Sequence, residues 1–207
     1  FQRRAAEIYS QYASRGKNRF EWLRPNLFDK ILEKNLRADA EALTAVLQKC
    51  GEWNPAEDAK LEKLCELLLK KYPGEKVIVF SQFADTVRYL EKELQACGIN
   101  SLAGVTGDSS DPTHLAWRFS PASNEKRDRI KPEDELRVLI ATDVLSEGQN
   151  LQDCAIVVNY DLPWAIIRLV QRIGRVDRIG QKAEKILCYS FLPADGVERI
   201  IRLRARV

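Results

Sequence analysis

The stretch Gln171-Arg172-Ile173-Gly174-Arg175-Val176-Asp177-Arg178-Ile179-Gly180-Gln181 decides how the rest of the chain is read. It places arginines at 172, 175 and 178. On a helix each residue turns roughly 100° about the axis, so Gln171, Arg175 and Arg178 fall within about 60° of one another and Arg172 about 60° to one side. Three guanidiniums on one face repel each other unless an anion lies opposite, and their planar forks suit a polyphosphate. A solvated basic helix face is the plainer reading. Against it, Gly174 and Gly180 are poor helix formers that need a reason, and no lysine interrupts the arginines.

Working outward, the chain alternates between strand and helix patterns. Val77-Ile78-Val79-Phe80 is a short continuous apolar run, as a parallel strand buried on both faces requires. A helix is expected from Asp85 to about Cys97, closed by Gly98, and a strand near Ser101 to Val105 that ends in Thr106-Gly107. Residues 111–120 read as a helix and 121–135 as a charged, proline-bounded surface insertion. Further strands are expected at 137–141, 155–159 and 186–191, with the arginine helix over 165–178 and a last amphipathic helix from about Gly196. The whole predicts an α/β fold: an open parallel sheet with helices on both faces. Ligands of such sheets bind beyond the carboxyl ends of the strands, where Ser81, Thr106, Thr142, Asp143 and Asp161 gather.

Upstream, residues 1–55 read as a helical extension and 56–207 as the main domain. Leu32, Leu36, Ala40, Leu43 and Leu47 recur at helical spacing. The basic residues of this arm suit either a DNA-facing surface or an ordinary solvated helix. Asn54-Pro55-Ala56-Glu57 has the form of a helix start, and the helix after it runs to about Lys71 with Leu61, Leu64, Leu68 and Leu69 inward.

A second informative stretch is Ala141-Thr142-Asp143-Val144-Leu145-Ser146-Glu147-Gly148-Gln149-Asn150-Leu151. A strand ending in Thr-Asp and a glycine turn can offer a hydroxyl and backbone N–H groups to a phosphate; a helix cap at Thr142 or Asp143 would look the same.

Taken together these stretches resemble a known family. Residues 171–178 resemble motif VI of the superfamily 2 helicases and translocases, 141–151 motif V, and 77–83 motif IV. The ending Ile179-Gly180-Gln181 and the run Asn159-Tyr160-Asp161-Leu162-Pro163-Trp164 are most similar to the Swi/Snf-like branch, in particular bacterial RapA-like DNA translocases. The resemblance implies a RecA-like second lobe of the P-loop NTPase type. It implies that Arg175 and Arg178 act as catalytic arginine fingers on ATP bound between two lobes. Gln171, Arg172, Gly148 and Asn150 would line the nucleotide or the lobe interface. Ser81, Thr106, Gly107 and Thr142 would hold the nucleic-acid backbone. Trp164 suits either base stacking or interface packing.

What is missing shapes the mechanism. Ser14-Arg15-Gly16-Lys17-Asn18 lacks the first glycine and the hydroxyl of a phosphate loop, and Asp134-Glu135 precedes a strand instead of following one. ATP's cradle, the Mg2+ ligands and the catalytic acid are therefore expected on an N-terminal RecA-like lobe, and this piece alone is expected to be inactive.

Composition agrees without deciding. A net charge of +3 is too small to prove a nucleic-acid partner. Cys50, Cys65, Cys97, Cys154 and Cys188 lack metal-ligand spacing and read as scattered thiols of an intracellular protein. No apolar run approaches the roughly 20 residues that span a bilayer, so no membrane partner and a cytoplasmic, bacterial setting are expected. The chain opens on Phe1 and has no methionine; we expect a fragment, with some spacings lengthened if methionines belong between these residues. Duplex DNA is the expected partner and RNA the alternative. A RecA-like module kept only for protein binding is the third reading.

Overall fold

The computed structural model describes residues 2–15, 24–146, 149–163 and 165–192. The chain divides into two units, 1–53 and 54–207. The first contains α1 (Gln2–Arg15), a 3-10 turn at Pro25–Leu27 and α2 (Lys30–Cys50). Asp29 starts α2 by accepting from the Ile31 amide at 3.0 Å, and Gly51 ends it at φ 68°. Leu32, Leu36, Leu43 and Leu47 recur as expected but stay 41–68% exposed, so they build no core.

The second unit starts at Asn54, two residues before the expected boundary, because the Asn54 side chain caps a 3-10 turn at Pro55–Glu57. Asp58 then caps α3 (Ala59–Glu66) through the amides of Lys60 and Leu61. The last expected turn of this helix, Leu67–Lys71, is instead π-helical. That extra residue per turn rotates the chain: Leu61, Leu64 and Leu68 are buried, but Leu69 is 42% exposed. Arg137 donates to the carbonyls of Leu68 and Tyr72, both at 3.2 Å, and satisfies the end of the turn.

Five parallel strands follow: β1 (Val77–Phe80), β2 (Leu102–Val105), β3 (Val138–Ala141), β4 (Ile156–Asn159) and β5 (Leu187–Ser190). Their order in the sheet is β2-β3-β1-β4-β5. They are linked by α4 (Ala84–Ala96), α5 (Pro112–Phe119) and α6 (Ile166–Ile173). β1, β3 and β4 are buried at every position, which explains their unbroken apolar runs. One core packs Val77, Val79, Val138 and Ile140 against α3 and α4. The other packs Ile78, Phe80, Leu139 and Val157 against α5, Leu145 and Val176. Helices thus cover both faces, as the strand–helix alternation predicts.

Residues 121–135 are not a free insertion. Ile130 is buried, and the Asp153 carboxylate accepts from the amides of Ala122 and Ser123, both at 2.8 Å. Burial opposes ionisation of Glu135, but Lys76 and Arg127 at 2.5 and 2.6 Å hold its carboxyl below the usual range. The expected helix from Gly196 lies outside the described residues.

Candidate nucleotide and nucleic-acid edge

The strand registers line up the predicted polar residues in one row. Val105 pairs Ala141, Phe80 pairs Ala141 and Asn159, and Asn159 pairs Ser190. The next residues along each strand are therefore Thr106, Thr142, Ser81, Tyr160 and Phe191, side by side at the carboxyl edge. Adjacent strands lie about 4.8 Å apart. β1 sends its connection towards β2 and β4 sends its own towards β5, so the crevice expected of such sheets opens between β1 and β4.

Not every residue of that row faces outward. Ser81 is fully buried, and its hydroxyl donates to the Asp161 carboxylate and accepts from the Phe83 amide. This corrects the expectation that Ser81 touches nucleic acid: its hydroxyl is spent joining β1 to β4. Lys60 closes the same cluster, donating to the Tyr160 carbonyl at 2.7 Å and lying 3.6 Å from Asp161. Burial, reinforced by Asp58, pushes the Tyr160 phenol up. Thr106 is 6% exposed and its hydroxyl accepts from the Asp108 amide at 3.3 Å, so it shapes the turn more than it faces solvent. Gly107 is exposed, with open space where a Cβ would be. Thr142 is half-buried at the end of β3.

The three arginines are sorted sharply. α6 stops at Ile173 and not at 178, because Val176 turns into the core with no exposed surface. Gly174 ends the helix, and a Cβ there would sit 3.2 Å from the Val170 carbonyl. Arg175 and Arg178 therefore project from a turn, and the helical arc expected for them does not apply.

Arg172 is completely buried. Its Nε donates to Asp143 Oδ1 at 2.7 Å, and its Nη1 to Asn159 Oδ1 at 3.1 Å and the Asp161 carbonyl at 3.3 Å. Its guanidinium lies 5.3 Å from the Phe80 ring centre. The expectation that Arg172 faces a lobe interface is corrected: it is an internal strut across the ends of β1, β3 and β4. Asp143 also holds Arg168 at 3.1 Å.

Arg178 is half-buried. It donates from Nε to the Gly174 carbonyl at 3.0 Å and from Nη1 to Asn150 Oδ1 at 2.7 Å. Both acceptors are neutral, so they orient the charge without cancelling it. Asn150 is fixed in turn: its amide donates to the Ser123 carbonyl, and its own carbonyl accepts from Asn124 at 2.7 Å. Arg175 is half-buried, and its carbonyl accepts from the Leu151 amide at 3.2 Å. Gln152 donates to the Ile179 carbonyl at 2.8 Å. The two stretches read separately from the sequence thus form one hydrogen-bonded unit. Gln171 is exposed on α6 beside Ile167 and Val170, which are 60% and 58% exposed. Gly148 and Trp164 lie outside the described residues.

Sequence reading missed Lys60, Asn159 and the pairing role of Asp143. The one available signal was Asn159, a polar residue ending an otherwise apolar buried strand.

A family model described as the helicase conserved C-terminal domain matches residues 59–180, more than half of the chain. The chain belongs to the helicase C-terminal domain family. This helicase domain is 39% identical over 136 residues to an uncharacterized ATP-dependent helicase of Bacillus subtilis, covering 65% of this chain and 22% of that protein. It is 30% identical over 144 residues to a DEAD-box ATP-dependent RNA helicase of Arabidopsis thaliana, covering 68% of this chain and 25% of that one. The C-terminal part of the Fun30 ATPase domain shares the fold, with a TM-score of 0.55 and 19% identity over 81% of this chain and 52% of that chain. The chain therefore spans about a quarter of the curated relatives' length, as a C-terminal RecA-like lobe of the superfamily 2 type. Among the described residues, no helix is long and apolar enough to cross a membrane.

Proposed function

We propose that this domain is the second motor lobe of an ATP-dependent DNA translocase of the Swi/Snf-like, RapA-like kind, inactive without its first lobe. ATP and Mg2+ bind mainly to that first lobe. Arg175 and Arg178 reach across to the phosphates and stabilise the charge that builds up as the γ-phosphoryl group leaves. Thr142 and Gly107 contact the nucleic-acid backbone, with Thr106 shaping the turn. Gripping the backbone gives little sequence specificity.

The observation that carries this reading is the different treatment of Arg172 and Arg178, six positions apart. Arg172 is neutralised inside the fold by Asp143, whereas Arg178 is oriented by neutral acceptors on a half-exposed turn. A guanidinium held in place with its charge intact suits an anion arriving from outside. The exposed Ile166, Ile167 and Val170 of α6 support a neighbouring lobe on the same side.

In the full-length protein, Arg175→Ala or Arg178→Ala should lower ATP turnover by about 10³-fold or more. Unchanged turnover in both would move the reading to a protein-binding module. A second reading, an RNA helicase lobe, is favoured by relatives whose names are those of RNA helicases. Stimulation of turnover by duplex DNA but not RNA supports the first reading, and the reverse supports the second. A relative in Bacillus subtilis supports a bacterial motor.

A further inference from the structure

Cys65 and Cys97 are 32 positions apart in sequence, yet their sulfurs lie 3.2 Å from each other. Both are mounted on well-held backbone. Cys65 sits in α3, two residues before the π turn, and packs against the first core cluster. Cys97 follows the last turn of α4, where its amide donates to the Glu93 carbonyl at 3.0 Å. Next to it, the Ile99 amide donates to the Leu94 carbonyl at 3.1 Å, and Gly98 takes φ 91°. Leu94 and Ile99 are both buried on either side. A disulfide needs its sulfurs about 2.05 Å apart, so an approach of about 1.2 Å by side-chain rotation would close the bond.

We propose that Cys65 and Cys97 form a reversible thiol–disulfide modification site, closed by a small disulfide oxidant of the glutathione type. The exposed Cys97 reacts first. Its thiolate attacks one sulfur of the oxidised glutathione, forming a mixed disulfide and releasing one glutathione thiolate. The Cys65 thiolate then attacks Cys97 Sγ, displacing the second glutathione. Two protein thiols and one glutathione disulfide become one protein disulfide and two glutathiones, and the two cysteine protons pass to the glutathione thiolates. The bond joins α3 to the end of α4 on one face of the sheet, and excess thiol reverses it.

Burial, and after it the hydrogen bond that Cys65 donates to Cys97, pushes the Cys65 thiol up to about 12. The second step is therefore the slow one, and its rate rises as alkali supplies more Cys65 thiolate.

The test treats the full-length protein with oxidised glutathione, quenches it by alkylation and maps peptides without reduction. The expected product is a peptide pair linked through Cys65 and Cys97, forming faster as the pH rises from about 7 to about 9, and lost on adding dithiothreitol. Cys65→Ser should stop at glutathione on Cys97, and Cys97→Ser should give no link at Cys65. Amide exchange across 59–71 and 84–98 should slow in the oxidised wild-type protein. If wild-type protein keeps glutathione on Cys97, or if both thiols remain open to alkylation, the site is not a disulfide site.

Discussion

Arg172 offers the sharpest test of how this domain is built. Arg172→Met keeps the length and the apolar stem of the side chain and removes the charge. Asp143 then loses its 2.7 Å partner, and the Asn159 and Asp161 oxygens lose their donor. Breaking a buried pair by removing one partner costs about 3–5 kcal/mol. Asp143 is 23% exposed and keeps Arg168 at 3.1 Å, so the low end applies, about 3 kcal/mol. For a domain of this size that lowers Tm by about 6–12 °C. The check is urea or thermal unfolding followed by circular dichroism. Arg172→Met with Asp143→Asn removes the partly buried carboxylate charge as well, and should recover about 1 kcal/mol or more over the single variant. Two results would refute the reasoning: Arg172→Met unfolding within 1 kcal/mol of wild type, or a double variant no more stable than the single one.

Three other outcomes follow from contacts elsewhere in the domain. Arg178→Ala and Asn150→Ala should shift Tm by no more than a few degrees, because the residues are half-buried, while both lower turnover in the full-length protein; a large loss of stability in either would move the Arg178–Asn150 pair into the structural core. Gly104→Val should destabilise by about 1–3 kcal/mol in urea titration, since even a Cβ at 104 would lie 2.7 Å from Glu91 Oε2 and 3.1 Å from Val87 Cγ1. Burial pushes the Cys154 thiol up to about 12, so the unfolded chain gives up that proton first as pH rises; the stability it contributes is whole below about pH 8.5 and drains away towards pH 12, and Cys154→Ala should flatten that alkaline slope.

The fold was legible because parallel strands buried on both faces leave unmixed apolar runs. Val77–Phe80, Val138–Ala141 and Ile156–Asn159 were found to within a residue. The capping residues around Asn54 and Gly98 were legible for the same local reason. The order of the strands was not, since nothing local tells β1 to sit between β3 and β4. Site residues failed where their partners are distant in sequence. Ser81 meets Asp161 across 80 positions, and Arg172 meets Asp143 across 29. Polarity at a strand end marks both residues that face a ligand and residues that tie strands together. Only packing separates the buried Ser81 from the half-buried Thr142, the proposed nucleic-acid contact. The arginine spacing misled in its geometry, because burial of Val176 outweighed helical continuation after Gly174.

The Arg172–Asp143 pair also bears on how the two halves of the proposed motor would communicate. Asp143 follows Thr142, a proposed nucleic-acid contact, and Arg172 precedes Arg175 by three residues. One ion pair therefore stands between the proposed backbone grip and the proposed finger, and a shift at the end of β3 would reach the end of α6 through a contact of 2.7 Å. Asp143→Asn leaves an oxygen to accept from Arg172 and removes the charge that fixes the pair's geometry. In the full-length protein, basal ATP turnover should stay within about threefold of wild type. The stimulation given by nucleic acid should drop by about 5-fold or more, the range in which site-to-site coupling usually falls. Thr142→Ala is the matched control: it should weaken nucleic-acid binding and restore full stimulation at saturating nucleic acid. If Asp143→Asn behaves the same way, regaining full stimulation at saturation, the ion pair holds the fold together and carries no signal.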